Sequence, residues 1–154
     1  MVATLTSRRN FLAFSSAALV GLPLSVRRAP AATPPLTFDE LYGSYSALGL
    51  TFSDKVERLK GETVVMQGFM APPLKAEADF FVLTEIPMAL CPFCSTDADW
   101  PDNIVVVYLT RTQTFEQANA LIEVTGRLEV GSWTDPETGF LSRLRIVDAS
   151  FGAA

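Results

Sequence analysis

Two cysteines, Cys91 and Cys94, stand in the run Pro87-Met88-Ala89-Leu90-Cys91-Pro92-Phe93-Cys94-Ser95-Thr96-Asp97-Ala98-Asp99-Trp100-Pro101-Asp102. Thiolates separated by two residues can converge on one soft cation from a single turn, oxidise to a disulfide, or exchange disulfides with another protein. Met88 adds a thioether three residues upstream, and Asp97, Asp99 and Asp102 add carboxylates downstream. The chain has 2 cysteines and no histidine. Without imidazole there is no Ser-His-Asp triad, no Cys-His pair, no HExxH zinc helix and no two-histidine facial triad.

Three chemistries stay open for this run. As a metal site, Cys91 and Cys94 with Met88 suit copper(I). Zinc needs two further ligands, which Asp97, Asp99 or Asp102 would supply, or a cysteine pair from a second protomer. As a thiol–disulfide oxidoreductase, Cys-Pro-x-Cys has a redox-type spacing, but such sites rest on a following helix N-terminus that lowers the thiol pKa. Pro101 and the strand behind it leave no room for that helix, and neighbouring aspartates push a thiol pKa the wrong way. As a structural clip, a Cys91–Cys94 disulfide closes a ring of four residues and removes about 2 kcal/mol of unfolded-state entropy, against about 3 for fifteen. The reading adopted is a binding domain rather than an enzyme. Its cysteine segment takes zinc or copper, or docks on an envelope or transporter protein.

The chain starts Ser7-Arg8-Arg9-Asn10-Phe11-Leu12 and continues uncharged to Leu24. A basic start, a short apolar run and small residues after it form the layout of a secretory signal, too short to span a bilayer of roughly 20 apolar residues. The motif resembles the twin-arginine signal of bacterial exported proteins, with Ala13 where a lysine often stands. That resemblance implies a periplasmic protein exported already folded. Cleavage is expected after Ala31, in Ala29-Pro30-Ala31, leaving no stable membrane span. Residues 1–31 hold Arg8, Arg9, Arg27 and Arg28 and no acid, so the remainder carries eight basic against seventeen acidic side chains, a net charge of −9. Such a surface repels nucleic acid.

At 49% hydrophobic and 19% charged, the chain as a whole has the composition of a packed domain. The expected organisation is a signal over 1–31, a lead-in with a short helix over 32–58, and a β domain over 59–154. Ala32 to Pro35 reads as extended, and Thr37 with Glu40 reads as a capping box opening a helix from Phe38 to Tyr45. Leu50 to Val56 reads as strand or loop. Alternation and β-branched content predict strands over Glu62–Met70, Asp79–Ile86, Ile104–Leu109, Ala120–Val130 and Phe140–Asp148. Phe115 to Asn119 reads as a short helix or turn, and Trp133 to Gly139 as the turn of a hairpin. Phe69, Phe80, Phe81 and Tyr108 are read as core. Glycines at Gly68 and Gly126 suit strands that coil around a closure. The fold expected is all-β, a small OB-like five-stranded antiparallel barrel, with a small β-sandwich as the alternative.

The succession of a strand ending Gly68-Phe69-Met70-Ala71-Pro72, a strand, a cysteine-bearing loop and an apolar strand resembles an uncharacterised bacterial family of small exported OB-like proteins, over roughly 59–148. The resemblance implies a neighbour of transporter components with a part in metal homeostasis. It carries over to Cys91 and Cys94 alone, since members with a histidine near that position differ from this chain.

Overall fold

A computed structural model of the chain describes residues 32–46, 49–72, 79–88, 100–111, 114, 116–117 and 119–154. All of them belong to Ala32–Ala154, the second of two units into which the chain divides. The expected signal, 1–31, lies outside the described residues.

Five strands make the body: β3 (Thr63–Met70), β4 (Phe80–Thr84), β5 (Ile104–Leu109), β6 (Leu121–Thr134) and β7 (Leu141–Ala153), after a two-stranded sheet of β1 (Tyr42–Ser46) and β2 (Gly49–Phe52). Period-two patterning decides which face each strand buries. In β3, Val64, Met66, Gly68 and Met70 are buried while Thr63 and Gln67 face water. In β6, Ile122, Val124, Gly126 and Leu128 do the same. β4 is buried throughout, as are Ile104 to Val107 of β5, in keeping with an unbroken apolar run.

β3 pairs antiparallel with β4 and β6, β4 with β5, and β6 with β7. The β5–β7 pairing, with Val106 opposite Arg145 and Val107 opposite Ile146, closes a barrel in the order β3-β4-β5-β7-β6. That last pair is parallel, which corrects the expectation of an antiparallel barrel. The reason is parity, because a closed ring of five strands cannot alternate direction all the way round. The two-layer sandwich is overturned by the same closed pairing. Met66, Phe81, Leu83, Val105, Val107, Leu128, Leu144 and Ile146 fill the interior, all essentially without exposure.

The two expected coiling glycines sit where strands press together. A Cβ on Gly68 would lie 2.8 Å from Thr84 O, and one on Gly126 would lie 2.6 Å from Ile146 Cγ2 and 2.8 Å from Val147 O. Strand bounds agree within a few residues, except that β6 and β7 run on to Thr134 and Ala153. Gly131, at φ 120°, sits in a register irregularity that lets β6 continue past Val130. Phe80 and Phe81 are core as expected, whereas Phe69 and Tyr108 are only half-buried because they point outward from the ring.

The N-terminal lead-in departs most from expectation. Of the helix expected from Phe38 to Tyr45, only Phe38–Glu40 is helical, as one 3₁₀ turn, and Tyr42 begins a strand instead of a second helical turn. Glu40 Oε2 does reach back, accepting from Thr37 N at 3.1 Å and Thr37 Oγ1 at 3.0 Å. Leu50–Val56 splits into the end of β2 and the start of α1 (Asp54–Leu59). Ser53 caps α1, its Oγ accepting from Val56 N at 3.2 Å. Ahead of this, Pro35 bridges Val65 in parallel, and Leu36, Leu41 and Val56 are buried against the barrel. Described residues of this stretch thus contribute to the buried core. Phe115 and Ala118 lie outside the described residues; Ala120 N donates to Gln117 O in a turn.

Candidate functional site

The segment carrying the candidate ligands joins β4 to β5, and its two ends are held on the barrel. On the departing side, Thr84 is fully buried and its hydroxyl lies 2.7 Å from Ile86 O and 3.1 Å from Phe69 O, one proton facing two acceptors. Glu85 N donates to Asn103 O at 3.2 Å, tying the departing arm to the returning one. On the returning side, Trp100 is 3% exposed, and its indole Nε1 donates to Tyr42 Oη at 2.6 Å. Tyr42 in turn stacks on Phe52, ring centroids 5.4 Å apart. The β1–β2 sheet thus anchors the returning arm, and Arg143 of β7 anchors that sheet by donating from Nη2 to Leu50 O at 3.0 Å.

Between these anchors, Met88 is half-buried on the departing arm and Asp102 is exposed in the turn before β5. Cys91, Cys94, Asp97 and Asp99 lie outside the described residues, so neither the metal site nor the disulfide expected of them is placed. Among the described residues, no group of three or more Cys, Asp or Glu side chains is arranged to hold a metal ion. Among them too, no helix is long and apolar enough to cross a membrane.

A second polar constellation, at the far turn of the β6–β7 hairpin, was visible in the sequence only as a turn. Asp135 is 7% exposed and its Oδ1 accepts from Glu137 N at 2.8 Å and Thr138 N at 3.0 Å, while Oδ2 accepts from Tyr108 Oη at 3.1 Å. Burial works to raise this carboxyl's pKa, but the Thr138 and Glu137 amides and the Tyr108 hydroxyl outweigh it and hold it below the ordinary aspartate range. Burial first, and then the Asp135 charge, keep the Tyr108 phenol protonated well beyond the ordinary tyrosine range. Beside them Arg145, also 7% exposed, donates to Gly131 O at 2.8 Å and to Ser142 O at 3.2 Å, and pairs with Glu129 at 3.3 Å. Its guanidinium lies 5.3 Å from the Trp133 ring, whose edge meets Tyr108. Each buried polar side-chain atom described here has a partner within the protein, and the cluster fixes the hairpin turn.

No family model matches the chain, and no curated protein matches it. Among solved structures, a DUF3299 family protein from Pseudomonas aeruginosa PAO1 is similar in fold, with a TM-score of 0.52 and 14% identity over 80% of this chain and 97% of that one. The likeness is one of fold, to a member of a family of unknown function.

Proposed function

We propose that this chain is an exported binding domain on an OB-like barrel, whose β4–β5 segment takes a soft metal ion, zinc or copper, or docks on a transporter or envelope protein. The OB-like reading is supported by the strand order, a three-strand meander followed by a hairpin whose second strand slots in beside the third. Export to the periplasm is supported by Ser7-Arg8-Arg9-Asn10-Phe11-Leu12 and the apolar run behind it.

The observation that carries the reading is the frame around the segment. Thr84 and Glu85 hold one arm to the packed barrel wall and to the returning arm, and Trp100 holds the other arm to the β1–β2 sheet. A long connection with fixed ends is a common way to present ligands from a scaffold that needs none of them for stability.

Elemental analysis and thiol counting of protein purified without oxygen test it. The expected result is about one zinc or copper per chain, or per pair of chains, lost in Cys91→Ser. Substoichiometric metal, with titrations unchanged in Cys91→Ser, overturns the metal reading. Mixed disulfides trapped by Cys94→Ser would assign the segment to thiol–disulfide exchange instead. For the address, replacing Arg8 and Arg9 by lysines should retain the protein in the cytoplasmic fraction; unchanged export rejects the twin-arginine route.

A further inference from the structure

The barrel wall has a gap beside β3. Antiparallel pairing alternates, so the backbone groups of Val65, Gln67, Phe69 and Ala71 all point away from β6. Val65 N donates to Pro34 O at 3.2 Å, Leu36 N donates to Val65 O at 2.8 Å, and Ala71 N donates to Val82 O at 2.9 Å. Phe69 is in register with Thr84 of β4. Gln67 stands between these partners. The N-terminal segment peels away at Thr37 into its 3₁₀ turn, and β4 ends at Thr84, so among the described residues no backbone partner meets the Gln67 N–H or C=O.

The gap opens into a groove of about 410 Å³, within the size range of ligand-binding clefts. Pro35, Phe38 and the exposed Leu121 give it an apolar floor and side, and Asp39, Glu85 and Glu123 rim it. Among the described residues, no basic one lines it. Gln67 Nε2 donates to Glu123 Oε2 at 3.0 Å, holding that carboxylate beside the open edge. Since no described group of acids is arranged to hold a metal ion, the charge suits a cation carried on a side chain.

We propose that this gap is a docking slot for an extended segment of a partner protein bearing lysine or arginine. The segment adds to β3 at Gln67, sets an apolar side chain on Leu121 and places its cations on Asp39, Glu85 and Glu123. Strand addition supplies the backbone hydrogen bonds, and the rim selects the charge. The slot shares Glu85 with the departing arm of the cysteine segment but uses its side chain rather than the backbone N–H that ties the arms, and either proposal can fail alone.

The test is an NMR titration of the full chain with a capped peptide alternating lysine and valine, and with its glutamate–valine counterpart. The expected result is that the lysine peptide shifts Gln67, Leu121 and Glu123 resonances and slows hydrogen exchange at the Gln67 amide, while the glutamate peptide does neither. Glu85→Gln with Glu123→Gln should weaken binding about fivefold, as two part-exposed ion pairs imply. Absence of binding at millimolar peptide, binding that leaves Gln67 exchange unchanged, or equal binding by both peptides would overturn it.

Discussion

Single residues set the tightest limits on this molecule. Gly126 is hemmed in by the backbone of β7 as well as by Ile146, so the strand cannot yield to a methyl group by rotating one side chain. Gly126→Ala should cost about 1–3 kcal/mol, read as a lower urea midpoint with an unchanged slope. Asp135 offers a pH signature. Its carboxyl is held below the ordinary aspartate value of 3.8, so its contribution is complete above that value and is lost as the pH falls through the depressed one. Asp135→Asn should cost about 1–2 kcal/mol at neutral pH, and the gap to the unsubstituted protein should close in acid; a gap constant with pH would reject this account. Both glycines were readable from strand patterns, because period-two alternation exposes a missing side chain. The partnership of Asp135 with Tyr108 was not, since the two are 27 residues apart and only the β5–β7 pairing brings them together.

Among the elements, the barrel strands were legible and the N-terminal ones were not. Alternating apolar residues in β3 and β6, and the apolar run of β5, specify strands by themselves. Tyr42–Ser46 has no such alternation, and it is extended because Gly49–Phe52 pairs with it. The same sheet explains how the cysteine segment is held. Its returning arm depends on the Trp100–Tyr42 hydrogen bond, a contact that nothing in the local sequence announces. Trp100→Phe and Tyr42→Phe should be non-additive, with a coupling of about 1 kcal/mol in a double-mutant cycle. Additive effects would mean the two side chains do not anchor the arm together. For the candidate site the sequence offers residue types, Cys91, Cys94, Met88, Asp97 and Asp99, and no arrangement, because spacing along a chain fixes no geometry in space, and all of these but Met88 lie outside the described residues.

At the scale of the whole molecule, the core is made of side chains from all five barrel strands. Stability should therefore not depend on a bound ion. A chelator, or Cys91→Ser with Cys94→Ser, is expected to move the midpoint of thermal unfolding by no more than a few degrees, as a loss of about 1 kcal/mol implies. Collapse of the fold on metal removal would instead make the metal structural.

The parallel β5–β7 pair also dictates the order of events in making the protein. β7 is the last barrel strand in the chain, and it bonds to both β5 and β6. Until it emerges from the ribosome, those two strands expose raw edges to every other nascent chain nearby. Ring closure must wait for translation to pass residue 141, so any sorting machinery that inspects a finished fold can act on this protein only after that strand is in place.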